Sequence, residues 1–406
     1  MNQVCVLGLG YIGLPTALML AACGNRVTGV DIDANLLAQL RQGNVTFEED
    51  GLQELYAKAI HNISFESIVP QAPMYIVAVP TPYNKTTKKI DVKYVLSAID
   101  NVLDVCDDGA IIVIESTVSP GTTDKFIRPF IQNHVRGGNV HLVHAPERII
   151  PGKMIKELRE NSRTIGADST EVAEAVRDMY MTFCVGDIVL TSIRTAEMTK
   201  VVENTYRDIN IAFANELAKI CRQDNMDVYE IIKISNMHPR VDILQPGPGV
   251  GGHCISVDPW FLVGDYPSLS LLIHEARKIN DSMPGFVLQR IQDIKKENSL
   301  PQDATVGFYG ITYKEDVDDT RESPTMQLYD QMQLHLGGGN AVFFDPMCQG
   351  KVLDGQVESF EEFLEKSDLV VIMVGHGHIR ENVEKLGSKI VLDTRNICAL
   401  PGCYKL

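Results

Sequence analysis

The chain opens with short apolar, β-branched runs that alternate with segments whose apolar positions recur every three or four residues. Val4–Leu7, Arg26–Val30, Met74–Val79, Ala110–Glu115 and His141–His144 read as strands, each followed by a turn and a helical stretch. Such alternation predicts a parallel sheet covered by helices on both faces. From Thr195 to Gln223 there is no Gly or Pro. Met198, Val201, Val202, Ile209, Ala212, Phe213, Leu217 and Ile220 recur there at helical spacing, which predicts one long helix. A shorter helix is expected over Val228–Ser235, then a loop from His238 to Pro259, then a helix through Leu271 to Ile294. After Leu300-Pro301, strands return at Val306–Tyr309, Val342–Phe344, Leu369–Val374 and Ile390–Asp393, with helical patterns between them. The apolar stripe of the long helix suits a dimer interface or a core helix packed within its own chain. Its place between two α/β blocks favours dimerisation.

Length and composition narrow the class. The 406 residues, 45% hydrophobic and 22% charged, are ordinary for a soluble globular protein of two or three domains. A net charge of -16 argues against general nucleic-acid binding. Any phosphate site must then be built from local cations and backbone N–H groups. The nine cysteines are odd in number and contain no CxxC pair, which fits reduced thiols and a cytoplasmic location. The first residues run directly into a strand without a signal-peptide pattern. No apolar run approaches the length of a membrane span.

Gly8-Leu9-Gly10-Tyr11-Ile12-Gly13 follows the first strand and precedes the helical run Leu14–Ala22. Gly8 permits the tight turn, Gly10 lets backbone approach a pyrophosphate, and Gly13 lets helix and strand pack closely. Tyr11 and Ile12 lie in that turn, and the helix N-terminus faces the phosphates. Asp31 closes the second strand, where a carboxylate binds ribose hydroxyls and repels a 2′-phosphate, so NAD is expected. Asp33 is a rival for the ribose, but its position beyond the strand end favours a helix N-cap. Thr81 and Thr117 follow strands at the end where such sheets bind ligands; they suit cofactor contact or turn chemistry. The expected architecture is α/β: two Rossmann-like parallel-sheet domains joined by a central helical region with one long helix. The NAD-binding domain is expected at 1–194, a central helical domain suited to dimerisation at 195–298, and a second α/β domain at 299–406.

Cys254 sits in the glycine-dense loop Gly249-Val250-Gly251-Gly252-His253-Cys254, with Asp258 four residues on. Glycines let a ligand approach closely. A thiolate beside a hydride acceptor can hold an aldehyde for a second oxidation. Lys200 and Asn204 are one turn apart on the long helix; they suit oxyanion or proton chemistry, or a solvated face. His253 reads as structural or substrate-facing. Gly375-His376-Gly377-His378 reads as a loop, and no metal is expected.

The run Arg194-Thr195-Ala196-Glu197-Met198-Thr199-Lys200, with Glu203-Asn204 and Arg207 to Glu216, resembles the UDP-glucose/GDP-mannose dehydrogenase family. His238-Pro239-Arg240 through Cys254, Asp258 and Trp260 continues the match, and most resembles the UDP-N-acetyl-D-mannosamine branch of that family. The resemblance implies two NAD molecules used in turn, with a UDP-sugar C6 alcohol oxidised to a carboxylate through a Cys254 thiohemiacetal and thioester. It implies that Lys200 stabilises an oxyanion or acts as base, with Asn204 its partner and Asp258 aiding water or proton transfer. Glu147, in Ala145-Pro146-Glu147-Arg148, would serve thioester hydrolysis, and with Arg148 and Gly251 would line the sugar. Lys314, in Gly310-Ile311-Thr312-Tyr313-Lys314, would contact substrate, and Arg321 the cofactor pyrophosphate. Arg240 would reach the neighbouring active site of a homodimer. An enzyme for the epimer UDP-N-acetylglucosamine, an ordinary two-electron dehydrogenase and a non-catalytic nucleotide-sugar sensor are the rivals.

Overall fold

The computed structural model describes residues 3–134, 139–252, 254–335, 340–348 and 350–406, so His253 lies outside it. The chain divides into two compact units, Met1–Glu203 and Asn204–Leu406.

The first unit is built on an eight-stranded sheet ordered β3-β2-β1-β4-β5-β6-β7-β8. Its strands are β1 Gln3–Leu7, β2 Arg26–Val30, β3 Ile63–Glu66, β4 Met74–Val77, β5 Ile111–Ile114, β6 His141–His144, β7 Arg163–Ala167 and β8 Ile188–Thr191. Alternate residues of each central strand feed different cores. Val4, Val6, Ile76 and Val113 pack on one face, while Cys5, Leu7, Tyr75, Val77, Ile112 and Ile114 pack on the other. A sheet covered on both faces reads as continuous apolar runs, which is why the sequence exposed these strands. The pairings are parallel except between β6 and β7, where Val143 faces Ala167 and His144 faces Gly166. The five expected strands pair in parallel as expected; the reversal comes with β7, a strand the sequence pattern did not reveal. In this antiparallel register β7 starts at the end where β6 finishes, so Arg163, first in β7, lies at the carboxyl end of β6. A parallel β7 would carry it to the opposite edge.

The helix Ile193–Gln223 runs through the boundary between the units. In the second unit, the helices Val228–Ser235, Asp258–Asp265, Leu271–Asp281 and Met283–Glu297 precede a five-stranded parallel sheet. That sheet is ordered β10-β9-β11-β12-β13, with β9 Val306–Tyr309, β10 Ala341–Phe344, β11 Leu369–Ile372, β12 Ile390–Asp393 and β13 Tyr404–Lys405. Phe308 and Phe343 stack in its core at 5.3 Å. The expected single helix over Leu271–Ile294 is two, broken at Ser282. Pro284 stands in the first turn of the second helix, where its missing N–H and fixed φ suit a start rather than an interior. Among the described residues, no helix is long and apolar enough to cross a membrane.

Candidate active site

The β1 turn shows three different uses of glycine. Gly8 has φ +91°, and a Cβ there would stand 2.5 Å from the Ala78 carbonyl oxygen. A Cβ on Gly13 would run into the Gly8 carbonyl oxygen. Gly10 has nothing within 4 Å of the same position. The first two glycines close the turn, and the third leaves open space at the start of the helix Gly13–Ala22. Tyr11 is half-buried against Phe47, with ring centroids 4.4 Å apart, and Ile12 is half-buried beside it. Asp31 accepts from the Leu9 N–H at 2.8 Å and the Asp33 N–H at 2.9 Å, one on each carboxylate oxygen. Each oxygen keeps a lone pair for a ribose hydroxyl. Asp33 caps the helix Ala34–Arg41, accepting from Asn35 and Leu36. An open backbone cradle and a held carboxylate fit a dinucleotide whose ribose lacks a 2′-phosphate.

Two neighbouring loops are tied together. The Thr81 hydroxyl donates to the Thr117 carbonyl at 2.7 Å, and the Ser116 hydroxyl to Val79 at 2.7 Å. Buried Glu197 of the long helix accepts from Gly121 N–H at 2.5 Å and from Thr123 N–H and hydroxyl at 2.9 and 2.7 Å. Burial raises its pKa, opposed by these donors. Sequence reading gave Glu197 no separate role.

Lys200 is only 7% exposed and Asn204 only 6%, so their face of the helix is not solvated. Glu147 is 6% exposed. Its Oε1 accepts from Arg148 N–H at 2.7 Å. Its Oε2 stands 2.5 Å from a guanidinium nitrogen of Arg163, an ion pair without hydrogen-bond alignment. Arg148 extends to Ser162 O, Thr164 Oγ1 and Glu203 at 2.9, 2.9 and 2.8 Å. His144, at the end of β6, is fully buried; burial, with the charge of Lys200 adding, pushes its imidazole down to about 3.

In the second unit, Asn204 donates to Asp258 Oδ2 at 2.6 Å. Asp258 is the first residue of its helix, and its N–H donates to the Cys254 carbonyl at 2.9 Å. Cys254 therefore lies one turn ahead of a helix N-terminus, where negative charge is favoured. It is exposed, whereas Cys5, Cys184, Cys221 and Cys398 are buried. Its loop is anchored to the later motif: Gly252 N–H donates to Arg321 O at 3.0 Å. A Cβ on Gly251 would meet Glu322 O at 2.6 Å and Tyr313 Cβ at 2.8 Å, so this glycine serves backbone packing. Arg321 is exposed and pairs with Asp319 at 2.6 Å. Lys314 is half-buried, its carbonyl accepting from Thr312 Oγ1 at 3.0 Å.

Three asparagines that had no role of their own in the sequence reading hold the loop before Cys254. Asn236 bridges both backbone groups of Ile243 at 2.8 and 2.9 Å. Asn210 donates to Asp242 O at 2.8 Å and accepts from Leu244 N–H at 3.1 Å. Asn215 accepts from Gly247 N–H at 2.9 Å and donates to Asn280 at 2.8 Å. Between these anchors Arg240 is exposed. Val202, Tyr206, Phe213 and Ile220 form an exposed row on the long helix, while Val201 and Ala212 are buried. His376 is used inside the fold: it lies 3.2 Å from Asp345 and accepts from the Asp316 N–H at 2.9 Å.

Three models of the UDP-glucose/GDP-mannose dehydrogenase family match in succession. They are the NAD binding domain over residues 2–184, the central domain over 194–282 and the UDP binding domain over 307–399. The UDP-N-acetyl-D-mannosamine dehydrogenase of Methanococcus aeolicus is 41% identical, covering 97% of this chain and 91% of that protein. The NDP-N-acetyl-D-galactosaminuronic acid dehydrogenase of Ralstonia nicotianae is 37% identical, covering 98% and 96%. The solved structure of the UDP-N-acetyl-mannosamine dehydrogenase from S. aureus superposes with a TM-score of 0.89 at 38% identity, covering 100% of this chain and 98% of that one. The open glycine turn, the held Asp31 carboxylate, the matched domains and the full-length relatives agree: the chain is an NAD-dependent dehydrogenase and belongs to the UDP-glucose/GDP-mannose dehydrogenase family.

Proposed function

We propose that this enzyme oxidises UDP-N-acetylmannosamine at C6 to UDP-N-acetylmannosaminuronate, removing four electrons, and works as a cytoplasmic homodimer. NAD, when bound, would supply the hydride acceptor for each of the two successive oxidations. Lys200 accepts the proton lost from the C6 hydroxyl or, as a cation, stabilises the alkoxide that forms. The Cys254 thiolate adds to the aldehyde carbon, and the resulting thiohemiacetal loses hydride to become a thioester. Asn204 and Lys200 stabilise the oxyanion. Asp258, fixed by the Asn204 amide, orients water, and Glu147 accepts a proton from it during hydrolysis. Gly8, Gly10, Tyr11, Ile12, Gly13, Asp31, Thr81 and Thr117 hold the cofactor, with Arg321 on its pyrophosphate. Arg148, Gly251 and Lys314 face the sugar nucleotide. Residues 1–194 serve the cofactor, 195–298 dimerisation and catalysis, and 299–406 the nucleotide sugar. Arg240 completes the partner's site.

The observation that carries this reading is the 2.6 Å Asn204–Asp258 contact one helical turn from an exposed Cys254. A multifunctional set of amide, carboxylate and thiol is not needed to remove a single hydride. The names of two relatives, one at 41% identity, support the manno sugar. The test is NADH produced per sugar with UDP-N-acetylmannosamine and its gluco epimer in parallel. Two NADH per manno sugar, a lower kcat/KM for the epimer and no uronate from Cys254→Ala are expected. One NADH per sugar, or uronate from Cys254→Ala, overturns the mechanism; preference for the epimer overturns the substrate.

A further inference from the structure

Behind Glu147 the first unit holds a buried set of charges of which the reaction above uses one member. Glu115 follows β5, Arg163 opens β7 and Tyr180 ends the helix Thr170–Tyr180. Glu115 is 1% exposed, Arg163 4% and Tyr180 not at all. Arg163 lies 2.5 Å from Glu147 and 3.8 Å from Glu115, with its guanidinium 4.4 Å over the Tyr180 ring. The Tyr180 hydroxyl donates to Glu115 Oε1 at 3.0 Å. Thr16 and Cys184 also face the set, and the Arg148 N–H holds the other Glu147 oxygen at 2.7 Å.

One guanidinium cannot neutralise two carboxylates. With both ionised, the buried set carries a negative charge away from water, which is unfavourable. One carboxyl therefore yields first, and the distances say which. Glu147 holds the close contact with Arg163; Glu115 has the distant one. Burial first, then the charge of Glu147, pushes the Glu115 carboxyl up to about 7, while Arg163 and the hydroxyls of Tyr180 and Thr16 oppose the rise.

We propose that Glu115 is a positioning residue for thioester hydrolysis: once ionised, it competes for Arg163 and so makes Glu147 a stronger proton acceptor for the attacking water. This rests on the roles proposed above for Cys254 and Glu147. In the step, the water oxygen bonds to the thioester carbon and the C–S bond breaks. Sulfur leaves as the Cys254 thiolate. One water proton passes to Glu147; the other stays on the uronic acid and is lost to solvent as that acid ionises. While Glu115 is neutral, Arg163 belongs to Glu147 and weakens it as a base. When Glu115 is ionised, a second negative charge stands nearby and the guanidinium is shared.

The test is single turnover of the intact enzyme with NAD and UDP-N-acetylmannosamine, following NADH and quenched release of uronate across neutral pH. Uronate release by the unaltered enzyme is expected to rise as pH crosses about 7. Glu115→Gln is expected to lose that rise, releasing uronate roughly 3- to 10-fold more slowly on the alkaline side with NADH formation unchanged. Glu115→Asp retains the rise. Tyr180→Phe moves it to higher pH, because the lost hydroxyl stabilised the ionised carboxylate. Should Glu115→Gln fail to fold, Tyr180→Phe decides alone. An unmoved profile in either variant overturns the inference. Glu147→Gln separates the two levels: if it still releases uronate at the normal rate, the underlying reading of Glu147 fails as well. If it blocks release while Glu115→Gln keeps the normal profile, only the role of Glu115 falls.

Discussion

Gly10→Ala and Gly13→Ala should part stability from cofactor binding. At Gly10 an added Cβ meets nothing within 4 Å, and its φ is not in the left-handed region. Alanine there restricts the unfolded chain without strain, so stability should hold or rise by about 0.4–1 kcal/mol. The methyl group nevertheless fills the space that lets backbone approach a pyrophosphate. Loss of one charge-assisted contact, about 1.5–3 kcal/mol, corresponds to roughly a 10- to 100-fold rise in the NAD dissociation constant. At Gly13 the same methyl strikes the Gly8 carbonyl oxygen, which is backbone and has no rotamer to yield. That change should cost about 3 kcal/mol or more in stability. Thermal unfolding without ligand and calorimetric NAD titration distinguish the outcomes. A lowered melting temperature for Gly10→Ala, or wild-type NAD affinity in that variant, would refute the cradle assigned to this turn.

Asn204→Ala removes the donor to Asp258, and kcat should fall by at least tenfold while KM for NAD stays within a few-fold; steady-state kinetics checks this. Tyr206→Glu with Phe213→Glu places charge on the exposed row of the long helix, and light scattering should report monomers instead of dimers. His144 stays neutral when folded but takes a proton when unfolded below its ordinary pKa of 6.5, so its stabilising share is lost as pH falls from there toward about 3. Between pH 7 and 5 this amounts to about 2 kcal/mol. His144→Asn should flatten the acid side of a stability–pH curve measured by urea unfolding; an unchanged slope contradicts the assignment.

The sequence displayed what repeats at short range. Continuous apolar runs revealed β1, β4 and β5, and the glycine spacing with Asp31 revealed the dinucleotide turn. Ile63–Glu66 and Arg163–Ala167 escaped notice because polar residues interrupt their apolar ones, whereas Ile188–Thr191 escaped although its first three residues are apolar. The continuous period across Leu271–Ile294 hid the break at Ser282, although Pro284 was its visible sign. Asn210 and Asn215 were unreadable for another reason. Each is a polar residue on a helix, and its backbone partner lies 32 to 34 positions away. Glu115 and Arg163 had one legible mark: a charge beside or within an apolar, sheet-forming segment.

The most direct measurement is the mass of the enzyme after one turnover. Glu147→Gln, mixed with NAD and UDP-N-acetylmannosamine and quenched in acid, should carry a covalently bound sugar nucleotide on the peptide containing Cys254. Unmodified Cys254 in a sample that has already formed NADH would contradict the thioester.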